Sequence, residues 1–327
     1  MAWKNLSQTS LADAFICSHP ALNELDEIDN LIDWSACEAL MVNIHSNPMG
    51  DRAYPPLLMF KILLLQTWYN LSDPACEKQL ARDLLFRRFV QLSLTDQVPD
   101  HSTLWRFRNR PQTEGLFDRL LENINDQLRQ QGLIMKTGEA SIIDASVIQA
   151  KNNRPNKNAQ GENTQDAEAS YNVKTTSDGT RKTTYGFKAH INVDEDVFIK
   201  KHDVTTGSSH YSHTFETLLT GQEKVVYNLK VTSAYKSPAH DTLLKKRKIK
   251  NNILHRAYRN TPLTVHQKQL NRFASEVRYI VERTFGILKQ HYGMAQARYN
   301  GLARSAAKLT LMCISYNLKR AAVIKQR

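Results

Sequence analysis

The sequence predicts an α/β protein: an all-helical N-terminal domain over residues 1–130, then a mixed sheet with helices on its faces over residues 131–327. Three observations predict it. Before residue 130 apolar side chains recur at helical spacing. Around Gly132 the texture changes to short runs rich in Ile and Val. Beyond that point strand-like runs come first as a hairpin and then alternate with helical stretches.

Taken in order, NELDEIDNLIDWSACEALM spaces Leu25, Ile28, Leu31, Ile32 and Trp34 as a helix does. YPPLLMFKILLLQTWYN opens on Pro55 and Pro56, suited to a helix start, and is apolar nearly all round, which predicts burial. SDPACEKQLARDLLFRRFVQL reads as one further helix, capped by Ser72 or Asp73. VPDHSTLWRFRNR places Asp100 or Ser102 as the cap of a short helix bearing Arg106, Arg108 and Arg110. Two short helices joined by a tight turn, the second rich in arginine, predict a helix-turn-helix-like DNA reader near residues 72–110. EASIIDASVIQA is a β-type run, and residues 149–184 are polar, Asn-rich and without period, a long loop. YGFKAHINVD and VFIKKHDVTT form a hairpin turning at Asp194–Asp196. A helix through HTFETLLTG, a run KVVYNLKVTS, a short helix, a strand at NNILH, a long helix around Glu282 and a last helix from about Ala303 to Ile324 complete the chain.

A chain of 327 residues with 41% hydrophobic content is a folded globular protein, and its most apolar stretch, Leu57 to Leu65, is too short to span a bilayer. Cys17, Cys37, Cys76 and Cys313 show no metal-binding or paired spacing, which excludes a zinc or disulfide framework and predicts a reducing, cytoplasmic setting without membrane association. Charge is more informative. Residues 1–60 hold two basic and eight acidic side chains, whereas residues 241–327 hold nineteen basic and three acidic ones. Cations concentrated on segments with apolar periodicity predict a polyanionic partner, double-stranded DNA above all.

Two acids stand out in this basic background. Asp144 interrupts the apolar run IIDAS; taken alone it is either the wet-face acid of a strand or a carboxylate aimed at a cation. Glu282 lies in VRYIVERTFGILK, where Arg278, Glu282 and Lys289 fall within about 40° of one another on a helical stripe. Val277, Val281, Phe285 and Leu288 form a neighbouring apolar stripe. An ordinary ion pair of Arg278 with Glu282 is the plain reading. One acid on the first strand and another on a late helix also fits metal-dependent phosphoryl chemistry, with Lys289 and Arg278 holding DNA phosphates.

The R-x3-E-x6-K spacing of Arg278, Glu282 and Lys289 resembles the signature of bacterial insertion-sequence transposases of the IS-four and IS-five type. RAYPPLLMFKILLLQTWYNLSDPACEKQLARDLLFRRFV, PDHSTLWRFRNR, SIIDASVIQAKNNRP, YGFKAHINVDEDVFIKK, SAYKS and NNILHRAYRN resemble further blocks of that family, across most of residues 50–323. The resemblance implies an RNase H-like core and a DDE transposase that cuts transposon ends and joins them to target DNA. It implies Asp144 and Glu282 as the first and third catalytic, metal-holding acids, and two Mg²⁺ or Mn²⁺ ions as cofactor. Arg278, Lys289, Arg106, Arg108 and Arg110 would contact the inverted repeats and target DNA, with the protein a homo-oligomer on DNA. The pattern departs at the second acid, where the family's aspartate is replaced by Thr232 ahead of Ser233; Asp203 and Asp241 are the nearby acids that could stand in. Ser275 replaces a tyrosine of the signature, and His210 and His213 lie where the family has a His-Asp pair. A catalytically inactive DNA-binding remnant that inhibits active copies is the alternative.

Overall fold

The computed structural model describes residues 19–44, 53–110, 115–133, 140–152, 156–175, 178–209, 214–228, 238–253 and 263–326, with the side chains of 175, 228, 238, 253, 270, 273–276 and 278 outside that description. The chain divides into two compact units: Met1–Ile134 together with Thr310–Arg327, and Met135–Leu309. The expected division at 130/131 assigned the whole C-terminal region to the sheet. The structure corrects this, because residues 310–327 fold with the helical unit.

The helical unit contains α1 (Asp26–Leu31), α2 (Trp34–Ala39), α3 (Pro56–Trp68), α4 (Asp73–Arg82), α5 (Leu84–Val90), α6 (His101–Arg108), α7 (Leu116–Gln130) and the later turns of α11 (Leu302–Lys325). α3 is buried on every side, as its unbroken apolar sequence requires. Its one cation, Lys61, is buried between Trp34 and Phe89, 4.5 and 4.9 Å from their ring centroids, and its ammonium donates to Asp29 at 2.6 Å. Trp68 Nε1 donates to Ser315 O and Asn317 Nδ2 to Asn125, so α11 closes this core. The single helix expected from Ser72 onward is broken at Asp83, whose backbone is extended (φ −106°, ψ 118°) and whose carboxylate accepts from Leu85 and Phe86 N–H. An aspartate competes with the helix for its own backbone and caps the next one instead. The tight turn therefore joins α4 to α5. The arginine-bearing α6 follows the longer stretch 91–100 and packs on α4, so the turn expected directly before it is absent.

The second unit is built on β1 (Ala140–Gln149), β2 (Ser170–Thr175), β3 (Arg181–Val193), β4 (Ile199–Thr206), β5 (Val225–Asn228) and β6 (Lys250–Ile253), with α8 (Phe215–Leu218), α9 (Pro238–Lys246) and α10 (Val265–His291). β3 pairs antiparallel with β1, β2 and β4, while β5 and β6 add in parallel beyond β1. Four strands joined by antiparallel pairing, two added in parallel and helices around them form the RNase H-like core that the resemblance implied. The long structureless loop expected at 149–184 is corrected: residues 170–175 and 181–184 are strand. The 156–169 stretch is tied down by Tyr185, whose hydroxyl donates to Asp166 O, and by Asp166 and Glu168, which accept from Gly301 and Leu302 N–H.

Candidate active site

Cross-strand partners share a face of a sheet, and side chains alternate between faces along a strand. Asp144 pairs with Ile191 of β3, which pairs with His202 of β4. Asp144 therefore stands on one face with Ile142, Ser146 and Ile148. Ile143 stands on the other face, in a cluster with Phe215, Leu218, Leu219, Val226, Leu244 and Ile249 that α8 and α9 cover. With that face occupied, α10 packs on β1, β5 and β6 from the Asp144 side. Asp144 and the helix that carries Glu282 thus lie on the same side of the sheet.

β1 is a central strand flanked by β3 and β5, and Asp144 is 6% exposed, so the wet edge-strand reading is set aside. The last described β1–β5 pair is Ile143 with Asn228, and Asp144 is the next residue along β1. Ala145 N–H donates to Asp144 Oδ1 at 2.7 Å.

On α10 the buried residues Val281, Thr284, Phe285 and Leu288 define the face against the sheet. At 100° per residue Glu282 and Lys289 fall roughly 90–110° from the centre of that arc, on its flank. Accordingly Glu282 is exposed and Lys289 half-buried. Arg278 lies one turn before Glu282 on the same helix, its side chain outside the described residues. The helix is held rigidly: Thr264 and Gln267 form a reciprocal capping box at its start.

The two acids weighed as stand-ins for the middle position are removed. Asp203 pairs with His190, which pairs with Ala145, so it stands on the face opposite Asp144. Asp241 lies on α9 and accepts from Asn251 Nδ2 at 2.6 Å, on that same opposite face, since Asn251 aligns with Val226. No cluster of three or more metal-ligating side chains exists among the described residues. Thr232, Ser233, His210 and His213 lie outside them, as does the side chain of Ser275.

Of the three arginines on the α6 segment, Arg106 is exposed and donates to Ser102 Oγ at 2.9 Å, while Arg110 is half-buried past the helix end. Arg108 is corrected: it is 5% exposed, its guanidinium locked between Asp73 at 2.7 Å and Gln66 at 2.9 Å, and it cannot reach a phosphate. Sequence reading also missed a set of exposed cations, Lys174, Arg181 and Lys182, on β2 and the start of β3. A signal was present: the turn dipeptide Asp178-Gly179 between VKT and RKT is a hairpin mark.

A likeness to the solved structure titled "Crystal structure of a pre-cleavage Mos1 transpososome" spans 82% of this chain and 97% of that one, at 9% identity and a TM-score of 0.21, too slight to bear on the site. The sequence matches two family models: a transposase domain (DUF772) at residues 14–110, and the transposase DDE domain at residues 136–318. The second covers more than half of the chain and contains both Asp144 and Glu282. The chain belongs to the DDE transposases, the enzymes of DNA transposition.

Proposed function

We propose that this transposase cuts and joins DNA at the ends of an insertion sequence of the IS-four or IS-five type, with Asp144 and Glu282 as its catalytic acids. The observation that carries the reading is a nearly buried carboxylate on the central strand, on the sheet face packed by the helix of Glu282. DDE transposases generally use divalent metal ions, and oxygen donors of this kind suit a hard cation such as Mg²⁺ or Mn²⁺. The donor set fits one such ion. Two carboxylates balance the charge of a single divalent cation, and both spare acids lie across the sheet. When bound, the cation would activate the attacking oxygen and stabilise the charge that develops on the phosphate.

The chain's own residues have separable tasks. Asp144, held in place through Ala145 N–H, presents a fixed oxygen from the middle of β1. Glu282 supplies a second oxygen from the flank of α10, while Lys289 and Arg278 grip phosphates beside it. The helical unit holds the transposon end through its exposed Arg106. Two ends must be brought together for joining, so the working form is a homo-oligomer on DNA. The protein acts in the cytoplasm of a bacterium.

The test is cleavage of supercoiled plasmid bearing the element's ends, with Mg²⁺ or Mn²⁺. Cutting is expected with the native chain and lost by a factor of at least about 10³ in Asp144→Ala and in Glu282→Ala, as when a group essential to charge stabilisation is removed. Equal cutting by the native chain and Asp144→Ala would overturn the reading. Thr232, where the family has its second aspartate, favours one second reading, a DNA-binding remnant that occupies ends and blocks active copies. End binding with no cutting by the native chain in either metal would establish it.

A further inference from the structure

The strand β2 and the first residues of β3 form a two-stranded ribbon that leaves the sheet. Among the described residues Arg181–Tyr185 pair along β2 alone, in the register Tyr171 with Tyr185, Val173 with Thr183 and Lys174 with Lys182. The pairing of β3 with β1 and β4 begins only at Gly186 and Phe187. Alternation gives the ribbon two unlike faces. One carries Tyr171 and Val173, 44% and 57% exposed, the other Asn172, Lys174, Lys182 and Thr184.

The second face is electrostatically unfinished. Lys174 and Lys182 stand directly opposite one another, an arrangement of like charges that destabilises an isolated ladder. Neither of these two exposed lysines has an ion-pair partner among the described residues, and Arg181, at the next position, stands on the Tyr171 face. An anion laid across the ribbon would offset that repulsion.

We infer that this ribbon is a DNA-binding arm of the transposase, its Asn172, Lys174, Lys182 and Thr184 face set against duplex DNA. An antiparallel two-stranded ribbon has the width of the B-form major groove, and lysine, asparagine and threonine are groups that contact phosphates and base edges there. The ribbon extends along the strand direction from the proposed catalytic acid. Asp144 pairs with Ile191, and Lys182 lies nine residues along β3 from it, about 30 Å at roughly 3.3 Å per residue. By strand alternation Lys182 shares the face of His190, opposite Asp144, so the lysines meet DNA on the other side of the sheet from the proposed acid. This rests on the proposed reading of the chain as one that acts on DNA, and it adds a second grip on DNA in the same unit.

The test uses the full chain and a random-sequence duplex of about three helical turns, with affinity measured against salt. Each phosphate contact contributes about 0.9 to the slope of log affinity against log salt. The Lys174→Ala/Lys182→Ala variant is expected to lose about 2 from that slope and at least tenfold in low-salt affinity. Lys174→Arg/Lys182→Arg is expected to retain both. Unchanged slope and affinity in the alanine variant overturn the arm. So does a change in sedimentation alone, which would assign the ribbon to a second copy of the chain. A slope lost equally in the arginine variant would trace the effect to folding, and overturns it also. Native protein that binds the duplex and does not cut fails the catalytic reading, while ribbon variants that match a cutting native protein fail only the arm.

Discussion

Arg108 and Arg106 lie two positions apart on α6 and do unrelated work. Arg108 sits beneath the surface, its guanidinium satisfied by Asp73 and Gln66. Removing one partner of a buried pair leaves an uncompensated charge, so Arg108→Ala is expected to cost about 3 kcal/mol in urea unfolding. Among folded molecules it should leave the salt slope of DNA binding unchanged. Arg106→Ala should do the reverse: near-native unfolding and about 0.9 less slope. The sequence of α6 could not separate the two. Both residues lie within one turn, and only the position of Asp73 on a neighbouring helix decides which arginine turns inward. Thr232 poses the complementary question. If the missing acid is the one defect of the site, Thr232→Asp should raise metal-dependent plasmid cutting at least tenfold; no gain would show that the surrounding register is altered as well.

At the scale of elements, β3 is the pivot of the second unit, because β1, β2 and β4 all meet along it. The strands converge on Gly186, where a Cβ would lie 2.1 Å from Ile148 O and 2.7 Å from Ala150 N. Gly207 makes the matching approach to Ser170 O, 2.2 Å from where its Cβ would be. No side chain fits either place without moving backbone, so Gly186→Ala is expected to lower stability by at least about 2 kcal/mol in urea. It should also raise proteolysis in residues 170–184 before the rest of the chain. The long apolar or amphipathic elements were legible in the sequence: α3, α10 and α11 carry their period over many residues. β1 and the β3–β4 hairpin were legible from alternation. The ribbon was not, because both of its faces meet solvent and no buried side impresses a period of two on the sequence. The break at Asp83 was missed for another reason. Its flanks share one helical pattern, and the decision rests on a single side chain capping the next helix.

For the molecule as a whole, acid carries a distinct signature. Asp194, at the β3–β4 turn, is buried, and burial pushes its carboxyl up to about 6 although Phe198 N–H donates to it. A folded-state value above that of the unfolded chain means the folded protein binds the extra proton between about pH 4 and 6. Stability is therefore favoured below that window and lost as pH rises through it, by about 3 kcal/mol for a shift of this size. Asp194→Asn keeps the oxygen that accepts from Phe198. It should be more stable than the native chain at pH 7 and no more stable at pH 4, in parallel urea titrations. The site itself was legible only in part. Glu282 and the stripe with Lys289 of the proposed site could be named from spacing and Asp144 from the family resemblance, and the sheet face that Asp144 occupies follows only from strand register. That register removed Asp203 and Asp241.

The helical unit takes its last turns from residues 310–325, after the entire sheet has passed. During synthesis on the ribosome, Trp68 and Asn125 must wait for Ser315 and Asn317, while the sheet between them can already have folded. A nascent chain thus completes its N-terminal part last, and a polypeptide released early, short of that final helix, would leave α3 open to water and to proteases.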